Sequence, residues 1–207
     1  MAETEPVSER FSDDDASPAR KRPRPGERRL QILQTLAAML EQPGAERVTT
    51  ASLAAKIGVS EAALYRHFAS KAQMFEGLID FVDQSVIGLI RQVTDREPAG
   101  PVQASRIVAL LLQFAEKNPG MSRVMIGDAL VLEHERLQER INLLFDKIEA
   151  QLRQSLKGQD SPTPSSDAQL VASLLVAFMQ GRLQRFARSG FKRLPSEHLQ
   201  AALARML

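Results

Sequence analysis

Apolar side chains recur every three or four residues along most of the chain after residue 26, the spacing that places them on one face of an α-helix. The fold class predicted from this periodicity is all-α. The segments predicted as helices are residues 27–41, 51–57, 61–68, 71–94, 102–117, 137–157 and 167–189, followed by a short last helix that carries Leu199, Leu203 and Leu207.

The second and third of these helices are short, and the residues between them have steric roles. Gly58 stands where a helix must end in a left-handed conformation. Thr50 is the expected N-cap of the first of the two helices and Ser60 that of the second. Small Ala54 lets the helices approach each other, and Val59 fills the corner between them. This arrangement predicts a helix-turn-helix whose second helix fits the major groove of DNA.

Charge is distributed unevenly, although the formal net charge is only +2. Residues 1–19 contain six acids and one base, whereas residues 20–29, the basic arm, contain six bases and one acid. We predict that residues 1–26 form a disordered tail. The basic arm is expected to follow DNA phosphates or enter a minor groove, and a solubilising tail is the alternative.

The second helix of the motif has two faces. Leu64 and Phe68 are one turn apart and are expected to face the core. The side chains predicted to point outward are Ala62, Tyr65, Arg66 and Ala69. Since alanine offers only a methyl group to a base, we expect specificity to come largely from the basic arm, Arg66 and DNA shape.

Composition excludes several kinds of chemistry. The chain has no Cys, which rules out disulfides, a thiol nucleophile, a thiolate zinc site and an iron–sulfur cluster. The three His (His67, His134 and His198) have no metal-ligand spacing, so neither a metal nor a cofactor is expected. Glu133, His134 and Glu135 are consecutive and would point different ways on a helix, so we do not expect an enzyme.

No apolar run is long enough for a membrane span, and no signal-peptide pattern is present, so an intracellular protein is expected.

The helix-turn-helix resembles the N-terminal domain of the TetR family of transcriptional regulators. The motifs that carry the resemblance are Thr49-Thr50, Leu53-Ala54, Gly58-Val59-Ser60, Leu64-Tyr65, His67-Phe68 and Lys71. The resemblance implies a homodimer that binds palindromic double-stranded DNA, with a DNA-binding domain at residues 27–72 and a helical dimerisation and partner-binding domain at residues 73–207. It also places Thr50, Tyr65, His67 and Lys71 at positions that usually touch phosphates or bases in that family. With the basic arm and the motif's outward face, the expected DNA-binding residues are Arg24, Arg28, Arg29, Thr49, Thr50, Ser60, Ala62, Tyr65, Arg66, His67 and Lys71. For Tyr65 the open alternative is core packing, and for His67 it is a buried histidine.

The last two helices are predicted to pair with their copies in a dimer, as a four-helix bundle. Residues 158–166 are a Pro/Ser linker before them, and Ser196 is the expected cap of the final helix. The side chains expected at the dimer interface are Leu170, Leu174, Phe178, Phe186, Leu199 and Leu203. A twofold dimer would present its two recognition helices about 34 Å apart, one turn of DNA.

A second set of motifs resembles the nucleoid occlusion factors within the same family. These motifs are residues 60–68, Asn118-Pro119-Gly120, Leu137-Gln138, Arg140-Ile141-Asn142 and residues 149–154. The resemblance implies a nucleoid-associated bacterial protein of the cytoplasm, with one or more dimers on each chromosomal site. While bound to DNA it would engage the C-terminal tail of the division GTPase FtsZ and block division-ring assembly over the nucleoid.

An exposed aromatic with nearby cations would suit a short, partly acidic tail. Phe81 lies off the apolar stripe of its helix, and Leu110, Lys117 and Asn118 complete the surface expected to bind the tail of FtsZ. The alternative function is a ligand-responsive repressor, which would need a cavity with polar groups. The core positions that such a cavity would use look purely apolar: Ile107, Leu111, Ile141 and Leu144.

Overall fold

The structure is a computed structural model that describes residues 26–42, 48–131, 133–157 and 165–207 of the 207-residue chain. All regular structure in these ranges is helical, which confirms the predicted all-α class. The helices are α1 (Glu27–Leu40), α2 (Thr50–Ile57), α3 (Glu61–Tyr65), α4 (Lys71–Thr94), α5 (Pro101–Lys117), α6 (Pro119–Met125), α7 (Glu135–Leu156), α8 (Ser165–Arg188) and α9 (Leu199–Met206), with a 3₁₀ turn at Asp128–Leu130 between α6 and α7.

One apolar core runs through the described part of the chain, from α1 to α9. Helix α1 packs against α2, α4 and α6, while α4 also packs against α5 and α7. The most extensive helix pair is α7 with α8. Helix α4 begins at Lys71 and ends at Thr94, so it continues without interruption through the predicted domain boundary at residues 72–73.

The start of α2 differs from the prediction by one residue. Thr49, and not Thr50, is the N-cap: its hydroxyl accepts a hydrogen bond from the backbone N–H of Ser52 (3.1 Å). The Ser52 hydroxyl in turn accepts from the backbone N–H of Thr49 (3.1 Å), which completes a reciprocal capping box. The predicted Thr50 cap is therefore wrong, and the Thr50 hydroxyl is left for another contact.

Helix α3 is shorter than predicted. It ends at Tyr65, and Arg66 and His67 form a turn. The backbone N–H groups of His67 and Phe68 both donate to the carbonyl of Leu64 (2.9 and 3.1 Å), so the turn closes the helix and keeps Phe68 in the core.

The tripeptide Asn118-Pro119-Gly120 ends α5 as predicted, but it also begins α6, which the sequence reading missed. Proline has no N–H to lose at the first position of a helix, so Pro119 starts α6 instead of breaking the chain. Gly120 lies so close to α1 that a Cβ there would be 2.1 Å from the carbonyl oxygen of Ala37. This glycine therefore sets the approach of α6 to α1.

The N-cap of the final helix is His198, two residues after the predicted Ser196 cap. The Ser196 hydroxyl donates instead to Oε2 of Glu116, on α5, and α9 starts after His198. The predicted tail at residues 1–26 and linker at residues 158–166 fall largely outside the described residues. Among the helices the structure describes, none has the length and hydropathy needed to cross a membrane.

Candidate nucleic-acid interface

One face of helix α3 is apolar and packs into the core, and the opposite face is exposed. Leu64 and Phe68 are almost completely buried, as predicted. Gly58 adopts the left-handed conformation (φ 76°) that turns the chain, and the Ser60 hydroxyl accepts from the N–H of Ala63 (3.3 Å). The short helix thus begins at a fixed point, and its direction is set by the two buried side chains.

The outward face of α3 and its closing turn is exposed. Tyr65 is 45% exposed, which excludes the core-packing alternative. His67 is exposed as well, so it is not a buried histidine. Within the described residues, the side chains of Tyr65, Arg66 and His67 have no hydrogen bond or ion pair. Ser60 and Ala62 are exposed beside them.

A hydrogen bond joins the starts of α2 and α3. The Thr50 hydroxyl donates to Oε2 of Glu61 (2.6 Å). Both residues lie in the first turn of their helices, so the contact fixes the two N-termini relative to each other. Thr49, the cap of α2, stays exposed.

Arg29 fastens the other end of α3. Its Nη1 donates to the carbonyl oxygen of His67 (2.8 Å), and its guanidinium lies 4.0 Å from the ring centroid of Phe68. A cation over an aromatic face is an attractive contact. Although Arg29 belongs to the predicted DNA-binding set, the structure gives its side chain an intramolecular position that supports the recognition helix.

The remaining predicted basic residues differ in their surroundings. Arg28 donates through Nη1 to Oε1 of Gln31 (2.8 Å), one turn along α1. Arg24 lies outside the described residues. Lys71, at the start of α4, is paired with Glu133, which precedes α7 and is largely buried. The Lys71 ammonium therefore has a protein partner that a phosphate group would have to replace.

The predicted tail-binding residues lie on α4 and α5, two helices that pack together. Phe81 is 44% exposed, in line with its predicted position off the apolar stripe. Leu110 is half-buried against the core, and Lys117 is exposed. Asn118 is held by the chain itself, because its Nδ2 donates to the carbonyl oxygen of Phe114 (2.7 Å) at the end of α5.

Part of the predicted dimer interface is exposed and part is not. Leu170 and Leu174 lie one turn apart on α8 with 61% and 52% exposure, and Phe178, half-buried, follows them. The other three predicted residues have no surface to offer, because they are already covered within the protomer: Phe186, Leu199 and Leu203 are 1%, 5% and 2% exposed. Their assignment to the interface was wrong.

Several features were not predicted from the sequence. Glu61 accepts a hydrogen bond from Thr50, and Glu133 forms an ion pair with Lys71. No local sequence pattern indicates such contacts, because the two partners are distant in the chain. A surface cavity of about 610 Å³ lies between α4 and α7, lined in part by Asp83, Arg91 and Lys147. No group of three or more His, Cys, Asp or Glu side chains within the described ranges is placed to hold a metal ion.

Two family models match the chain. Residues 32–78 match the bacterial regulatory proteins of the tetR family, and residues 101–206 match the SlmA-like model of the tetracyclin repressor-like C-terminal domain.

Curated relatives and solved structures resemble the chain over most of its length. The nucleoid occlusion factor SlmA of Idiomarina loihiensis is 49% identical over 177 residues, which cover 84% of this chain and 90% of that protein. SlmA of Shewanella oneidensis is 50% identical over 174 residues, 83% of this chain and 88% of that protein. A transcriptional regulator from Rhodococcus sp. Rha1 superposes with a TM-score of 0.70 at 20% identity, covering 86% of this chain and 92% of its own. A TetR-family regulator from Bordetella parapertussis gives 0.68 at 19% identity, covering 88% and 95%. At these identities the two solved structures establish a shared fold.

Proposed function

This chain belongs to the SlmA family of nucleoid occlusion factors, which have the TetR-type fold, and we propose that it acts as a DNA-bound dimer that captures FtsZ. On palindromic chromosomal sites the dimer binds the C-terminal tail of FtsZ. The division ring is thereby prevented from assembling over the nucleoid.

The observation that carries this proposal is the free outer face of α3. Tyr65, Arg66 and His67 point away from the core and are not engaged by other described side chains. Arg66 supplies a guanidinium for a base edge or a phosphate, Ala62 supplies a methyl group for a thymine, and Tyr65 and His67 supply polar groups for the backbone. A helix held in this orientation fits into the major groove of DNA.

The contribution of Lys71 to DNA affinity depends on its ion pair with Glu133. Because Glu133 neutralises it in the free protein, phosphate binding at Lys71 requires the ion pair to open. Lys71 therefore contributes less to affinity than an unpaired lysine, and its release exposes the Glu133 carboxylate next to α7.

The surface proposed for the FtsZ tail combines an exposed aromatic ring with a cation that has no ion-pair partner among the described residues. Phe81 supplies apolar area, and Lys117, exposed at the end of α5, supplies charge for an acidic segment. Asn118 contributes by ending α5, which fixes the backbone beside Lys117.

Fluorescence anisotropy of a labelled FtsZ tail peptide tests the proposal. The peptide is titrated with the protein, with and without a palindromic duplex that the protein has selected from a random pool. We expect saturable binding that Phe81→Ala and Lys117→Ala each weaken about tenfold, since each change removes one anchor of a small interface. Val102→Ala is the matched control, because Val102 is an exposed apolar residue (72%) on α5 outside the proposed surface.

Duplex binding without any peptide binding would contradict the FtsZ part of the proposal and favour a ligand-responsive repressor. The described C-terminal core gives that alternative little support. Its buried polar side chains are Gln103, Ser122 and Ser155, of which Gln103 and Ser122 donate to nearby backbone carbonyls.

Arg29→Ala tests the positioning of the recognition helix. We expect duplex affinity to fall about fivefold to tenfold, because the stacking contact and the hydrogen bond to His67 are lost together. The slope of log affinity against log salt should stay unchanged, since no phosphate contact is removed.

Arg28→Ala is the comparison for Arg29→Ala: Arg28 belongs to the predicted DNA-binding set and has no contact with α3, so its loss should lower the salt slope. If Arg29→Ala lowers the salt slope by about 0.9 per site, the residue binds a phosphate and its positioning role is wrong.

A further inference from the structure

Four exposed cations lie within nine residues at the end of α8 and in the segment that follows it. This α8 basic cluster consists of Arg185, Arg188, Lys192 and Arg193. No side chain among the described residues forms an ion pair or a hydrogen bond with any of the four. The backbone that carries them is ordered by the Ser189 hydroxyl, which accepts from the N–H groups of Lys192 (3.1 Å) and Arg193 (2.9 Å).

The contacts between α7 and α8 show at which end of the molecule the cluster lies. Nη1 of Arg153, near the end of α7, donates to Oε1 of Gln169, near the start of α8 (3.0 Å). Gln138, near the start of α7, lines the same cavity as Gln184, near the end of α8. The two helices are therefore antiparallel, and the end of α8 lies beside the start of α7.

The start of α7 is next to the helix-turn-helix. Glu133, which precedes α7, pairs with Lys71, the first residue after that motif. The segment after α8 approaches the same end through α6: the ring of Phe191 lies 5.6 Å from the guanidinium of Arg123, and α6 packs directly on α1. The α8 basic cluster thus lies at the end of the C-terminal helices that packs next to α1 and the start of α4.

The same helix carries the exposed Leu170 and Leu174, which we assign to the dimer interface. If α8 lies next to the twofold axis, its last turn lies near the centre of the bound site. A twofold dimer with both recognition helices on one DNA places both copies of the cluster on the DNA side. Eight cations then converge on the stretch of duplex between the two half-sites.

We infer that the α8 basic cluster is a second DNA-contact surface, which binds the sugar–phosphate backbone at the centre of the palindrome. This inference rests on the proposed function, because it takes the α3 face as the primary DNA contact. The cluster makes no contact with bases, so it raises the affinity for all DNA sequences equally. Helix-dipole compensation explains cations in the last turn of α8, but Lys192 and Arg193 lie beyond the helix and gain nothing from it.

The test is a charge-matched pair of triple variants of the full chain. Arg188→Gln, Lys192→Gln and Arg193→Gln remove three of the four charges of the cluster. Arg91→Gln, Arg96→Gln and Lys157→Gln are the control: they remove the same charge from exposed positions at the opposite ends of α4 and α7. Affinity is measured at four salt concentrations for a selected palindrome and for a scrambled duplex of equal length.

We expect the cluster variant to bind both duplexes at least about tenfold more weakly, with a salt slope lower in magnitude by at least about 2. The ratio of the two affinities should stay unchanged. The control variant should remain within about threefold of the parent, with the parent's salt slope, because distant charges are screened.

An unchanged salt slope in the cluster variant would overturn the inference, as would equal losses in both variants, which would indicate net charge alone. Loss of FtsZ-peptide binding with intact duplex binding would assign the surface to an acidic protein partner instead. Failure of the parent protein to bind any duplex would contradict the proposed function itself. The Arg188→Lys, Arg193→Lys double variant, which keeps the charge, should retain the full slope, so a loss of slope there would point to misfolding and overturn the inference as drawn.

Discussion

Replacing Leu170 and Leu174 together with glutamate is expected to dissociate the dimer and to weaken binding to a palindromic duplex more than about 100-fold. The two leucines lie one turn apart on α8 and are exposed in the protomer (61% and 52%), so the substitutions cost the isolated fold little. In a twofold interface each substitution occurs twice, so four unpaired carboxylates would be buried. Their burial costs several times ~1.4 kcal/mol, the free energy that corresponds to a tenfold change in affinity. Sedimentation velocity gives the oligomeric state, and anisotropy gives the duplex affinity.

Leu143→Glu is the matched control for this pair. Leu143 is equally exposed (58%) but lies on α7, where it lines a cavity between α4 and α7. The control should remain dimeric and bind the duplex normally. A dimeric Leu170→Glu, Leu174→Glu variant would show that another face joins the protomers.

The limits of the sequence reading are clearest at the dimer face. Apolar periodicity identifies a helix face that must be covered, but it does not say whether the same chain or a second copy covers it. Leu170 and Phe186 lie on the same predicted helix, and only the first is exposed, because Phe186 packs edge-on against Phe191 at 5.1 Å between ring centroids. Leu199 and Leu203, on α9, were wrongly assigned to the interface for the same reason, because they are covered within the protomer.

Long elements with regular patterns were predicted well. The ends of α1 and α4 are within a residue of their expected positions, since long apolar stripes dominate their packing. Short α6 was missed because Pro119 and Gly120 were read only as helix breakers. Proline begins a helix as readily as it ends one, and only the packing against α1 decides between these outcomes.

The outward face of α3 was predicted correctly, but the contacts that hold it were not. Exposure of Tyr65 and Arg66 follows from their angular distance from Leu64 on a helix, a local property. The pairs that fix Arg29 to His67 and Lys71 to Glu133 join positions 38 and 62 residues apart in the chain. Such pairs depend on the tertiary arrangement of α1, α4 and α7, which no local spacing encodes.

Helix α4 connects the two proposed binding surfaces. It begins at Lys71, beside the recognition helix, and carries Phe81 ten residues further on, about 15 Å along its axis. Each of the two proposed surfaces therefore includes one residue of α4, and the proposed function requires that the protein bind DNA and the FtsZ tail together. In the proposed function, DNA reaches the start of this helix when the pair between Lys71 and Glu133 opens.

Gly120→Ala is expected to destabilise the fold by about 3 kcal/mol and to lower Tm by about 6–12 °C. The added Cβ would lie 2.1 Å from the carbonyl oxygen of Ala37 and 3.0 Å from its carbonyl carbon, so the backbone of α1 or α6 must move. Since α1 also carries Arg29, duplex affinity should fall as well. Gly88→Ala is the matched control: no atom beyond the neighbouring backbone of α4 itself lies within 4 Å of the added Cβ, and alanine there should raise stability by about 0.5–1 kcal/mol. Thermal unfolding of both variants checks the pair, and an unchanged Tm for Gly120→Ala would mean that α6 does not approach α1 as closely as described.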